Sequence, residues 1–360
     1  MIDRERLIES FCRLVSIDSP SEEEEEVARY LEERLTRIGF QVSRDLHGNL
    51  IASEEGESPI LLSAHMDTVE PGRGIKPQVT GDVITSDGTT ILGGDCKAGI
   101  AAILEGLQSV KDAGESRRPA QLVFTRGEEI GLVGAGHLDF SMIQAQEGVV
   151  FDGNGPVSKI TSSSPTYIRF DVKVTGRAAH AGVEPEKGLS AIKIASEIIT
   201  QLPQGRLDDE TTFNIGTIVG GSVRNAVPEE ASFTGEFRSR NVETLDLVRI
   251  QLMSTLQDAR NRYSDAIIDQ ELAVSFRMYS LDHGSHMVQL ASHLVKGLGL
   301  TPDIAPSGGG TDANVFLQHG LQCVVVGMAT NEMHTTREFV RVNELADTAR
   351  FCHVLLTNTK

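Results

Sequence analysis

Five acids and two histidines stand where a cation could be held. His65 and Asp67 are one residue apart at the end of an apolar run, and Asp95 sits among glycines in I-L-G-G-D-C-K-A-G (91–99). Glu128 and Glu129 are adjacent after a second apolar run, Asp152 closes V-V-F, and His334 lies in M-H-T-T. Carboxylate oxygens and imidazole nitrogens without thiolate are a hard-to-borderline set that suits zinc, and also cobalt or manganese. Glycine lets other groups approach closely, so Asp95 has room to offer both oxygens and be shared by two ions. Each ion then has one histidine and two carboxylates, with space for a water between them. Two ions about 3.5–4 Å apart generate hydroxide at neutral pH and clamp an oxyanion. Taken singly, each residue also has an ordinary reading. Asp95 is a Gly-Asp turn, His65 a satisfied core histidine, and Glu128-Glu129 a solvated loop. Adjacent acids at a strand end repel unless cations or protons compensate, and the joint pattern argues for cations.

These residues need a frame. A short amphipathic helix is expected over 3–14, and a second from Ser21, with Glu24 as a capping box, to Gly39. Acids 22–26 read as a first turn that complements the helix dipole. Strands are expected near 40–43, 49–53, 60–64, 79–85, 121–125 and 149–151, with a helix over 97–113 stopped by Gly114. This alternation predicts an α/β domain with a mostly parallel sheet, in which ligands gather beyond the strand carboxyl ends. His65, Glu128, Glu129 and Asp152 fall there. After Ser162-Ser163-Ser164-Pro165 the order becomes strand 167–174, helix 189–202, strands 213–219 and 232–238, helix 243–263 and strand 271–277. That is the βαββαβ (ferredoxin-like) motif. From about 285 the first texture resumes. The expected organisation is a discontinuous catalytic domain, 1–165 and 280–360, with an inserted lid or dimerisation-type domain, 166–279.

At 360 residues the chain has length for about two domains. A net charge of −18 argues against nucleic acid or an anionic membrane as partner, since phosphate would repel it. No run approaches the ~20 apolar residues of a membrane helix, and the charged N-terminus has no signal-peptide core. Cys12, Cys96, Cys323 and Cys352 lack metal spacing and read as reduced thiols of a cytoplasmic protein.

The motifs A-H-M-D-T (64–68), G-G-D-C-K-A-G (93–99), G-E-E-I-G (127–131), F-D-G (151–153), A-A-H-A-G (178–182), G-G-T-D-A (309–313) and M-H-T (333–335) follow one another in order. With them the chain resembles, over nearly its whole length, the co-catalytic zinc exopeptidase family of aminoacylase, carboxypeptidase G and peptidase T. The wording is most similar to peptidase T-like members. The resemblance implies that His65 and Asp152 hold one ion, Glu129 and His334 the other, with Asp95 between. It implies that Asp67 orients His65 and that Glu128 is the general base. By the same resemblance His180 stabilises the tetrahedral oxyanion, Asn225 and Arg238 grip a substrate carboxylate, and Gly309 and Gly310 pack backbone near the substrate terminus. A turn histidine, a turn asparagine and a surface ion pair are the ordinary alternatives for His180, Asn225 and Arg238. The implied substrate is a short peptide, cleaved as by a tripeptidase or aminopeptidase, and the implied assembly is a homodimer through the inserted domain.

One position departs from the pattern. Peptidase T-like relatives often have Asp where this chain has Cys96, and the resemblance implies a cis peptide at Asp95–Cys96. Cys96 is expected as a small-residue replacement, with a thiolate ligand as the alternative. Two other functions stand beside the peptidase. One is an N-acyl-amino-acid deacylase or carboxypeptidase on the same site; the other is a metal-dependent binding protein without catalysis. Glu128 argues against the last, because binding needs no base.

Overall fold

The apolar runs form a sheet whose centre is parallel. In the computed structural model, which describes residues 1–358, the strands Ala120–Thr125, Ile60–His65, Glu147–Gly153 and Gln322–Gly327 lie side by side in that order. All three of these pairings are parallel, in register Ile60↔Ala120, Leu61↔Gly148 and Val324↔Val149. The first two strands are buried at every position, as expected of a sheet covered on both faces. Antiparallel strands Gln41–Arg44 and Leu50–Ser53 extend one edge, and Lys159–Ser164 and Asp303–Pro306 the other.

Helix Gly94–Ala113 is apolar nearly all round and buried over most of its length. It packs on the sheet and beneath helices Arg4–Val15 and Val342–Thr357. A Cβ at Gly99 would lie 2.2 Å from the Phe151 carbonyl oxygen, so only glycine brings this helix so close to the strand that carries Asp152. Asp95 and Cys96 are non-helical and kink its start, so the continuous helix begins at Lys97, as expected. The Asp95–Cys96 peptide is cis, as the resemblance implies.

The capping box at Ser21 and Glu24 does not form. The helix begins at Glu25 without a side-chain cap. Ser21 donates instead to Asp67 Oδ2 (2.6 Å), and Glu24 accepts from Glu22 N and Gly127 N (both 2.9 Å). Both side chains hold up the site loops, and tertiary partners outweigh the local motif.

The chain divides into two compact units, Met1–Ser163 with Ser280–Ser307 and Thr311–Lys360, and Ser164–Tyr279 with Gly308–Gly310. In the second unit a sheet of antiparallel strands runs Gly205–Arg206, Thr211–Gly220, Glu230–Ser239, Thr166–Thr175, Ile267–Phe276. Helices Ala191–Gln201 and Val242–Arg262 cover one face over a core that includes Phe170, Phe213, Phe233 and Phe237. No helix among the described residues is long and apolar enough to cross a membrane.

Candidate active site

At the carboxyl ends of the parallel strands the first unit brings together His65, Asp67, Asp95, Glu128, Glu129, Asp152 and His334. His65 ends its strand and Asp152 lies near the end of the next. Glu128 and Glu129 sit in the loop after Thr125. His334 lies in the loop between the paired strands Thr330–Asn331 and Phe339–Arg341, in the left-handed region at φ 61°. A non-glycine residue in that region marks a site that the surroundings impose.

Asp95 faces both histidines. Its Oδ1 is 3.1 Å from His65 Nε2, and its Oδ2 is 3.1 Å from His334 Nε2. His65 Nε2 is also 3.6 Å from Asp152 Oδ1, and His334 Nε2 is 3.1 Å from Glu129 Oε1. Two donors on one tetrahedral zinc stand about 3.3 Å apart. The observed separations therefore match donors that converge on common points. His65 Nδ1 donates to the Asp67 main-chain carbonyl oxygen (2.9 Å), which turns the Nε2 lone pair of the neutral ring toward two carboxylates. Glu129 Oε1 is buried and has no hydrogen-bond partner despite its closeness to His334. Lone pairs and an orphaned oxygen crowded in this way fit a divalent cation on each side of Asp95. Potential ligand atoms of His65, Asp95, Cys96 and Asp152 lie within 4.8 Å of one another, as do those of Asp95, Glu129 and His334.

The electrostatics agree. Burial pushes the Asp152 carboxyl up to about 7, with His65 opposing and Asp95 adding. Burial likewise raises Glu128 well above the carboxylate range, helped by Asp152, and raises Glu129, helped by Asp95. The carboxylates of Asp95 and then Glu129 beside it lift His334 to about 10, against its burial. Asp95 alone among the ligand acids moves down, because both histidines outweigh its burial. So much negative charge in one place demands protons or cations. Lys97 is fully buried, donates to the Ile17 carbonyl (2.7 Å), and is brought down to about 7 by its burial, which outweighs the opposing pull of Asp18, Asp67 and Glu338.

Asp67 does more than orient a histidine. Its carboxylate is 3.4 Å from His65 Nδ1, whose nearer partner is the backbone carbonyl of the same residue. The carboxylate accepts from Glu128 N (3.0 Å), Glu129 N (3.2 Å) and Ser21 Oγ. It thus fixes the loop that presents both glutamates. Cys96 donates its thiol to the Phe151 carbonyl (2.9 Å), and burial, then Asp152, pushes it well above its usual range. That favours the small-residue reading over a thiolate ligand.

Of the remaining expected residues, all lie in the second unit. His180 and Asn225 are exposed neighbours, joined by Ala181 N to the Asn225 carbonyl (3.0 Å) and by a bridge between His180 and Ala226. Gly182 N donates to His180 Nδ1 (3.2 Å), which leaves Nε2–H as the ring's donor. Arg238 is half-buried, forked onto Glu236 (2.9 and 3.1 Å) and stacked over Tyr167. Gly309 accepts from Ser164 Oγ (2.8 Å), and a Cβ at Gly310 would strike the Phe276 ring.

Three residues at the site carried no assigned task in the sequence. Glu338 is buried and accepts from three main-chain N–H groups of the Asp95 turn. Asp312, in the quoted G-G-T-D-A, bonds Thr125 and keeps a buried, unpartnered Oδ1. Lys97 follows Asp95 by two residues. The position of Asp312 and Lys97 inside the motifs was their available signal; Glu338 had none beyond lying four residues after His334.

Residues 163–264 match the peptidase dimerisation domain, and residues 47–151 match peptidase family M28. The chain is 37% identical to the uncharacterized protein YqjE of Bacillus subtilis, over 97% of each chain. Among solved structures it is similar to aminopeptidase PepT of Bacillus cereus (37% identity, TM-score 0.86, covering 99% of this chain and 98% of that one). It is also similar to a tripeptidase of Staphylococcus aureus (32% identity, TM-score 0.93, again 99% and 98%).

Proposed function

Since the chain belongs to the M20 family of metallopeptidases, among its peptidase T-like members, we propose that it releases amino acids from short peptides with free termini at a two-metal site. The observation that carries this reading is Asp95, with one oxygen toward His65 and the other toward His334 at equal distance. His65 and Asp152 would hold one ion, His334 and Glu129 the other, and Asp95 both. Zinc is the proposed ion, with cobalt or manganese as substitutes that the same donors accept. Bound there, two divalent ions would polarise a peptide carbonyl and bring the pKa of water toward neutrality.

Glu128 is the proposed general base. It is buried and its main chain is pinned by Asp67, which holds a carboxylate where it could take a proton from water and return it to the leaving amine. His180 is proposed as the donor that steadies the developing oxyanion, which its Nε2–H tautomer supports. Asn225 and Arg238 are proposed to receive a substrate carboxylate, in Arg238's case by exchanging its fork from Glu236, and Gly309 and Gly310 to line the backbone near the substrate terminus. The match to a dimerisation domain supports a homodimer through residues 166–279, the inserted domain of the proposed division. The free thiols of Cys12, Cys96, Cys323 and Cys352 support a cytoplasmic setting.

The reading is tested by incubating the zinc- or cobalt-loaded protein with a free tripeptide and its N-acetylated and dipeptide counterparts. Release of an amino acid from the free tripeptide is expected. Cleavage confined to the N-blocked substrate would replace this reading by a deacylase.

A further inference from the structure

Asp95 can present an oxygen to each side only if its backbone turn is held still. The turn occupies the start of helix Gly94–Ala113, where N–H groups have no partner within the helix. Here the partner comes from far along the chain. Glu338 Oε2 accepts from Leu92 N and Gly93 N, both at 2.8 Å, and Oε1 accepts from Asp95 N at 3.1 Å. The side chain that does this is 1% exposed. Glu338 and His334 belong to one loop, closed by the pairs Thr330↔Val340 and Asn331↔Phe339. On the other flank, the Cys96 thiol ties the turn to the strand of Asp152 through the Phe151 carbonyl.

We propose that Glu338 is a positioning residue for the metal site: its carboxylate clamps the Leu92–Asp95 turn so that Asp95 faces both ions, and locks that turn to the loop carrying His334. Glu338 is not itself a ligand, since both its oxygens are used on main-chain N–H groups. The proposal rests on the reading of Asp95 as the shared ligand.

Glu338→Gln keeps size and hydrogen-bonding capacity but turns an NH2 toward main-chain donors, so at least one of the three bonds is lost. Two readouts separate positioning from general damage. The first is a Co²⁺ titration of the metal-free protein followed by its visible absorption. The second is amide exchange, by mass spectrometry, of peptides spanning 91–96. Loss of a partner that orients ligands typically costs ~10–100-fold in metal affinity. E338Q is therefore expected to bind Co²⁺ ~10–100-fold more weakly at one or both positions, to exchange faster at 91–96, and to lose kcat with little change in KM. Wild-type affinity for both ions with unchanged exchange would overturn the proposal. Should E338Q fail to fold, Glu338→Asp, which keeps the charge but is one methylene short, is read by the same criterion. Asp95→Asn separates the two claims. If D95N binds both ions as wild type does, the shared-ligand reading falls; if D95N weakens both and E338Q neither, the clamp alone falls.

Discussion

Glu128 and Glu129 are chain neighbours with different surroundings. The Asp67 carboxylate holds both of their N–H groups, and from that fixed base Glu129 turns to His334. The Oε1 of Glu129 is buried without a hydrogen-bond partner, as a ligand atom would be without its ion, whereas Glu128 faces no histidine within ion-pair distance among the described residues. The division of labour follows: Glu129 binds and Glu128 moves the proton. Glu128→Gln removes the proton acceptor and retains shape. It should lower kcat by at least ~10²-fold, the usual contribution of a positioned acid–base group, while the bound metal content is unchanged. Turnover within a few-fold of wild type would remove Glu128 from that role.

At the scale of elements, the site depends on how closely helix Gly94–Ala113 approaches the sheet. Gly99 sets that distance, since any Cβ meets the Phe151 carbonyl. Gly99→Ala should therefore destabilise by about 1–3 kcal/mol, as overpacking of a tight core does, visible as a lower Tm and weaker metal binding through displaced Asp95 or Asp152. An unchanged Tm would show that the helix can retreat at no cost. The same elements explain what could be read in advance. The parallel strands were legible because they are short apolar runs ending in acids or histidine, as at Ile60–His65. Lys159–Ser164 was not, because K-I-T-S-S-S is polar and becomes a strand only by pairing with distant segments, Gln322–Gly327 and Asp303–Pro306 among them. The helix start at Ser21 was misread because Ser21 and Glu24 serve Asp67 and Gly127. Glu338 was invisible for a related reason: its partners lie more than 240 residues earlier in the chain. Ligand residues carry chemical types and motifs, whereas the groups that hold them are chosen by tertiary contact.

For the whole molecule, the gathered charge makes stability depend on pH in a definite direction. Burial raises Asp152 and Glu338 to about 7 and Asp312 to about 6, and Asp95 with Glu129 raises His334 to about 10. Each of these groups binds its proton more tightly folded than unfolded. Their stabilisation is complete below the unfolded pKa, ~4 for the acids and ~6.5 for histidine, and is lost as pH rises through the folded value. Asp95 and Asp67, which move down, act the other way only in acid, and Lys97, brought down to about 7, acts the other way above that pH and offsets His334 there. The metal-free protein should therefore lose Tm from about pH 5 to about pH 7, and the gain on adding Zn²⁺ should be largest at the upper end, where ligands no longer need to shed protons. A metal-free Tm that rises over this range would contradict the charge balance. At a net charge of −18, cations are also drawn to the molecule as a whole.

The account stands on Asp95 joining two ions, and anomalous diffraction at the zinc edge from zinc-loaded crystals tests that directly. Two peaks about 3.5–4 Å apart are predicted, one beside His65 and Asp152, the other beside Glu129 and His334, with an Asp95 oxygen on each. A single peak, or a second ion that Asp95 does not touch, would contradict it.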